Sequence, residues 1–256
     1  MRILAITNQK GGVGKTTTCV NLAASLAATK RRVLLIDLDP QGNATTGSGV
    51  DKSALKHTIY HVLIGEKTLE EVRVRPEQAG FDVIPANREL AGAEVELVNE
   101  IARETRLKAA LVEIAPNYDY ILLDCPPALN LVTVNALTAA HAVMIPMQCE
   151  YYALEGLSDL VNTIKKVRAH LNSTLEIEGL LRTMFDPRNM LAQQVSAQLT
   201  QHFGDKVYRT VIPRNIRLAE APSYGLPVLH HDRASKGAQA YLALAGEIIN
   251  RRVTNG

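Results

Sequence analysis

The sequence predicts a doubly wound α/β protein, a mostly parallel sheet with helices on both faces. Three observations carry that expectation. Apolar, β-rich runs alternate with helical patterns along the chain. Several runs are continuous rather than alternating, notably Val33-Leu34-Leu35-Ile36 and Tyr120-Ile121-Leu122-Leu123, as expected of strands covered on both faces. The chemically informative residues follow the runs directly, and in such folds ligands sit outside the carboxyl ends of the strands.

In chain order, the first strand is expected at Ile3–Thr7, an apolar run that stops at a polar, glycine-rich loop. Lys15–Thr29 then reads as a helix, with Leu22, Leu26 and several alanines. The second strand is Val33–Asp37. The stretch 42–80 is polar and contains glycine, and it reads as a long excursion within one domain. Strands follow at Phe81–Pro85, Tyr120–Asp124, Ala142–Met147, Glu178–Met184 and Val207–Ile212. Helical patterns separate them over Glu94–Ile114, Leu131–Ala140, Leu154–Leu171 and Leu191–Phe203, and a last helix is expected over Ser235–Arg252. With no linker, internal repeat or low-complexity tract, the expectation is a single domain over 1–256 without a separate N-terminal helix-turn-helix.

Composition narrows the function classes. Of 256 residues, 46% are hydrophobic and 21% charged, which excludes a disordered chain. A chain of this length can bury a core without disulfides or a structural metal. With 3 Phe, 8 Tyr and no Trp, the core must be built from Leu, Ile, Val and Ala. So few rings also argue against single-strand nucleic-acid binding by base stacking. The three cysteines, Cys19, Cys125 and Cys149, are odd in number and lie in apolar or motif stretches. They read as packing residues in a reducing, cytoplasmic protein. The most apolar window, Tyr120–Met147, holds Asp124, Pro126, Pro127 and Pro146, so no transmembrane helix is expected. Charge is unevenly spread: residues 1–159 balance at −4 and residues 160–256 at +6. That split points the last third toward a polyanion.

The strongest motif is the loop after the first strand, Asn8-Gln9-Lys10-Gly11-Gly12-Val13-Gly14-Lys15-Thr16-Thr17-Thr18. Strand, glycine loop and helix form the context of a phosphate-binding loop. The glycines let backbone N–H groups wrap around phosphate oxygens, and the helix N-terminus adds its dipole. Lys15 supplies a charge for the β/γ phosphates of a nucleotide, and the Thr16 hydroxyl is placed to ligate Mg²⁺. Gln9 stands where the usual motif has glycine, and Lys10 adds a second lysine at the mouth of the loop. Two acids two residues apart, Asp37 and Asp39, close the second strand and share one face. Asp124 closes the fourth strand after four apolar residues, the pattern of a carboxylate that holds Mg²⁺ directly or through water. His230 and His231 beside Asp232 provide too few ligands for a metal cluster.

The pattern K-G-G-x-G-K-T resembles the deviant Walker A motif of the ParA/MinD family of P-loop ATPases. Asp37-Leu38-Asp39-Pro40-Gln41-Gly42-Asn43, Asp124-Cys125-Pro126-Pro127, Glu150–Gly156 and Val211–Ser223 are further close matches, and the likeness spans essentially the whole chain. It is greatest to short, chromosome-type (Soj-like) ParA proteins. The resemblance implies ATP and Mg²⁺ as cofactors, with Gly11, Gly12, Val13, Gly14, Lys15, Thr16 and Thr17 around the phosphates and Thr16 and Asp124 on the metal. It implies that Lys10 reaches across a dimer interface to the partner's nucleotide, that Asp39 orients the attacking water, and that Pro213 and Asn215 contact adenine. It further implies an ATP-dependent homodimer that binds double-stranded DNA non-specifically through Arg188 and Arg217, hydrolyses ATP slowly and answers to a ParB-type centromere-binding protein. Such a protein would be cytoplasmic, and on the nucleoid when ATP-bound. A membrane-cycling relative would need a C-terminal amphipathic helix, and Ile248–Gly256 offers too little apolar surface. A synthetase on this fold would need a substrate segment, for which no spare length is expected.

Overall fold

The computed structural model describes residues 1–254, with side chains through Arg251; the side chain of Arg252, the last basic residue of the C-terminal third, and residues 255–256 lie outside the described residues. Seven strands form one sheet: β1 (Arg2–Ile6), β2 (Val33–Asp37), β3 (Asp82–Ile84), β4 (Tyr120–Asp124), β5 (Ala142–Gln148), β6 (Glu176–Phe185) and β7 (Val207–Pro213). Their order is β3-β2-β4-β1-β5-β6-β7, and every pairing between them is parallel. The α-helices are α1 (Lys15–Ala28), α2 (Asn43–Gly47), α3 (Ile59–Leu63), α4 (Leu69–Val72), α5 (Ala93–Glu96), α6 (Arg106–Ile114), α7 (Leu131–Ala139), α8 (Ala153–His170), α9 (Met190–Phe203), α10 (Ile216–Glu220), α11 (Val228–His231) and α12 (Lys236–Thr254).

The core lies in two slabs, one on each face of the sheet. Leu107, Leu111, Val132, Ala136, Leu160, Ile164, Val195 and Leu199 bring α6 to α9 onto one face. Leu22, Leu26, Tyr241, Leu244 and Ile248 bring α1 and α12 onto the other. β2 and β4 are buried at every residue, which is why their sequences are unbroken apolar runs.

One expectation needed correction. The helical pattern over Glu94–Ile114 is not one helix. It breaks into α5, 3₁₀ turns at Leu97–Asn99 and Arg103–Thr105, and then α6, with Ala102 in the left-handed region at φ 57. Between Leu97 and Leu107 the large apolar residues Val98 and Ile101 face solvent, so no apolar stripe holds a continuous helix against the core. Within the excursion over 42–80 lie α2, α3 and α4, the last two with capping boxes from Thr58 and Thr68.

Both sheet edges are occupied. At β3, Val83 exchanges both backbone hydrogen bonds with Val74, at 2.8 and 2.9 Å. At β7, the Glu247 carboxylate of α12 accepts from the backbone N–H groups of Arg209 (2.8 Å) and Thr210 (2.9 Å).

Candidate functional site

The parallel register brings the informative residues to one end of the sheet. Asp124 pairs with Ile6 on one side and with Asp37 on the other, so the phosphate-loop strand and both acidic strands finish level. The loop leaves β1 and runs into α1 through Gly12 at φ 72 and Gly14 at φ 90, conformations that favour glycine. Gly14 is the N-cap and makes no side-chain cap, leaving first-turn N–H groups of α1 free of intrahelical partners. The Asn8 side chain pins the loop's entry, donating to Pro146 O (2.8 Å) and accepting from Lys10 N (3.0 Å). Its far side is pinned by Thr183 at the end of β6, whose hydroxyl donates to Val13 O at 2.7 Å and packs on Gly14.

The two loop lysines lie in opposite settings. Lys15 is 7% exposed and donates to Lys10 O at 3.1 Å across the loop. Burial pushes its ammonium below the ordinary lysine value, opposed mainly by the charge of Asp124. Lys10 points outward at the exposed mouth of the loop and pairs with Glu150. Gly11 and Gly12 are exposed, Thr16 and Thr17 half-buried, and Val13 buried.

The carboxylates divide in the same way. Asp37 is buried and fully engaged: it accepts from Asp39 N (3.1 Å), Thr45 N (2.8 Å) and the Thr45 hydroxyl (2.7 Å). Burial pushes its carboxyl up to about 6. Asp37 therefore builds the turn that presents Asp39. Asp39 is half-buried, with one oxygen accepting from Gln41 N at 2.9 Å. Asp124 is wholly buried, and neither of its oxygens has a hydrogen-bond partner. Burial, then the Asp37 charge, raises its carboxyl well above the usual range, while the neighbouring Thr16 side chain favours the ionised form. An orphaned carboxylate beside a threonine hydroxyl and a phosphate loop is a donor set that fits a hard, oxygen-preferring divalent cation such as Mg²⁺.

Pro213 ends β7, and Asn215 caps α10 without a side-chain cap bond. Asn215 is half-buried and its Oδ1 is buried without a partner. Arg188 and Arg217 are both on the surface, and both are ion-paired. Arg188 forks onto Asp186 at 3.0 and 2.9 Å. Arg217 bridges Glu220 (2.8 Å) and Asp232 (3.2 Å). The Phe185–Pro213 register sets Asp186 beside exposed Arg214, whose charge helps hold that carboxyl down, after Arg188 itself. His231 stacks on Tyr224 at 4.8 Å. The three cysteines are buried and free.

Sequence reasoning missed Asn8, Thr45 and Thr183. Thr183 lies 170 residues from the carbonyl it holds, and no local pattern marks it. Thr45, eight residues after Asp37, sits in the excursion that carried no periodic signal.

A family model described as an AAA domain matches residues 1–177. The sporulation initiation inhibitor protein Soj of Bacillus subtilis is 56% identical over 247 residues, covering 96% of this chain and 98% of that protein. The chromosome partitioning protein ParA of Caulobacter vibrioides is 54% identical over 253 residues, covering 98% and 95%. Among solved structures, cobyrinic acid a,c-diamide synthase from Mycobacterium smegmatis with bound ATP analog and magnesium superposes with a TM-score of 0.88 at 36% identity, over 100% of this chain and 97% of that one. The partition proteins share more than half of their residues with this chain from end to end, and it has the strand-end cluster of phosphate loop and carboxylates: the chain belongs to the ParA/Soj family of chromosome-partitioning ATPases.

Proposed function

We propose that this protein is an ATP- and Mg²⁺-dependent dimerising switch that binds double-stranded DNA without sequence preference, hydrolyses ATP slowly and partitions a chromosome or plasmid with a ParB-type partner. The 256 residues act as a single ATPase domain, cytoplasmic and nucleoid-associated in the ATP state. No helix among the described residues is long and apolar enough to cross a membrane, which agrees with a reading that needs none. The observation that carries the proposal is the division between the two loop lysines: Lys15 turned into the loop and buried, Lys10 turned out at an exposed mouth. One protomer's phosphates occupy Lys15. The second lysine faces away from them, held only by an exposed pairing with Glu150, which supports a role toward a second molecule.

In this reading Lys15 and the loop N–H groups from Gly11 to Thr17 neutralise the phosphates, which the low-dielectric setting strengthens. Thr16 and Asp124 hold Mg²⁺, which when bound supplies positive charge to the β/γ phosphate oxygens. Asp39 orients the attacking water, held in place by the turn that Asp37 and Thr45 lock. Pro213 and Asn215 meet the adenine; the unpartnered Asn215 Oδ1 supports a polar contact there. Lys10 leaves Glu150 and reaches the partner's nucleotide. Arg188 and Arg217 meet phosphates of the DNA, Arg188 giving up Asp186 and Arg217 giving up Glu220 and Asp232. Exposed ion pairs contribute only about 0–1 kcal/mol, so that exchange costs little.

The test is a salt titration of DNA binding, with and without a non-hydrolysed ATP analogue, for wild type, Arg188→Ala and Arg217→Ala. Each arginine that neutralises one phosphate adds about 0.9 to the slope of log K against log salt, so a dimer with both copies engaged loses roughly 1.8. Binding that ignores the analogue, or slopes unchanged in both variants, overturns the assignment.

A further inference from the structure

Asn21 lies on α1, just past the phosphate loop, and is 4% exposed. Its side-chain NH₂ donates to Thr17 O in the first turn of the same helix at 2.8 Å. Its Oδ1 accepts from Val228 N, 207 residues further along the chain, at 2.7 Å. The two partners fix the orientation of the amide, because a carbonyl can meet only its NH₂ end and an N–H only its oxygen. The first bond is local and steadies the side chain on α1. The second ties α1 to a distant part of the chain. None of the chemistry proposed above uses Asn21.

Val228 opens α11, and the N-cap of that helix, Pro227, offers no side-chain cap. The first N–H groups of a helix lack intrahelical partners, and Val228 is fully buried. Asn21 therefore supplies an acceptor that this end of α11 would otherwise lack. Val228 also closes an arm, residues 213–228, that leaves the edge strand β7 at Pro213 and returns to α1. The arm contains Asn215, α10 and a 3₁₀ turn at Ala221–Tyr224. Its tail is closed on itself, Gly225 N donating to Pro222 O (3.0 Å) and Leu226 N to Ala221 O (3.2 Å), so a displacement at Val228 is passed back toward Asn215. Leu218, Ala221 and Val228 sink into the slab with α1 and α12. Apolar burial is non-directional, so those contacts hold the arm down without setting where along α1 it rests.

We infer that Asn21 is a positioning residue: through Val228 it sets the arm that carries Pro213 and Asn215 at a fixed distance from the phosphate loop. The inference rests on the reading of Pro213 and Asn215 as adenine contacts. A nucleotide spans both elements, and it gains fully from both only when their separation is preset. Without the bond, part of the binding free energy goes into placing the arm. A second buried bond of α1 serves as an internal control. The Thr18 and Tyr241 hydroxyls lie 3.1 Å apart, joining the same helix to α12 and not to the arm.

The test is titration calorimetry of the full chain with Mg²⁺ and either a non-hydrolysed ATP analogue or tripolyphosphate, which carries the phosphates without the base. Asn21→Leu is of similar size and strands Val228 N. Its affinity for the analogue should fall about fivefold or more, while its affinity for tripolyphosphate stays at the wild-type level. Tyr241→Phe should unfold at a lower temperature yet keep the wild-type ratio of the two affinities. An equal loss for both ligands in Asn21→Leu, or a loss for neither, overturns the inference, because Asn21 then supports the loop or the fold alone. So does a ratio that falls as far in Tyr241→Phe as in Asn21→Leu. Asn215→Ala checks the underlying reading and should lose the analogue's advantage over tripolyphosphate. If Asn215→Ala keeps that advantage, the adenine assignment fails and takes the inference with it; if only Asn21→Leu keeps it, the inference alone fails.

Discussion

Replacing Thr183 with valine removes one hydroxyl and leaves the side chain's shape intact. In the folded chain that hydroxyl is buried and donates to Val13 O at 2.7 Å. Valine strands the buried carbonyl, at a cost of about 1–3 kcal/mol. The cost falls on the loop conformation in which Gly12 and Gly14 hold positive φ, so the free loop relaxes out of it and nucleotide must restore it. The corresponding loss of ATP affinity is roughly 5- to 150-fold, and the unfolding midpoint falls by about 2–4 °C per kcal/mol for a chain of this size. Titration calorimetry with ATP and Mg²⁺ gives the first number and thermal unfolding the second. Thr183→Ser keeps the donor and should recover most of the affinity. A valine variant that unfolds earlier yet binds ATP like wild type would show that the bond supports the fold alone, and the positioning argument would fail.

Lys15→Ala should abolish useful ATP binding, because the phosphates lose their buried charge partner, whereas Lys10→Ala should bind ATP as a monomer and fail to dimerise; equal affinity losses in the two would refute separate roles. Asp39→Ala should retain ATP and accumulate the dimer in sizing chromatography while hydrolysis falls by about 10²-fold or more; near-normal turnover would remove Asp39 from the reaction. Stability without nucleotide or metal should increase as pH falls from 7 toward 5. Burial raises Asp37 to about 6 and Asp124 in the same direction, so the folded state binds protons more tightly than the unfolded one. The penalty is full above the folded value and disappears below about 4, and for Asp37 alone it amounts to about 3 kcal/mol. Urea midpoints at pH 5.5 and 7.5 capture roughly the first 1 kcal/mol of it, and a midpoint that falls on acidification contradicts the sign.

Much of this was legible in the sequence because its signals are local. Val33–Ile36 and Tyr120–Leu123 announce a two-sided sheet by being apolar without interruption. Gly12, Gly14 and Lys15 sit within a few residues of one another because one turn must both wrap a phosphate and start a helix. Asp124 was readable as the first acid after a buried strand. What the sequence hid depends on distance or on missing contacts. Thr183 reaches Val13 only because β6 lies two strands from β1. The pattern over Glu94–Ile114 has helical composition, but Val98 and Ile101 have nothing to pack on, and periodicity does not reveal the absent neighbour. Arg217 shows one acid at i+3, Glu220, in the sequence; its second, Asp232, arrives only when the segment after α11 folds back.

The closure of both sheet borders, by Val74 on one strand and by the Glu247 carboxylate on the other, bears on how copies of this chain can meet. An open parallel sheet with bare borders is a template: strands add laterally, one copy after another, and the growth has no natural stop. Here the lateral route is sealed by groups belonging to the same molecule. Contact between copies then falls to other surfaces, one of which is the strand end where the loop mouth and Lys10 lie. A contact through such a face is finite, because a face consumed by one partner is unavailable to the next.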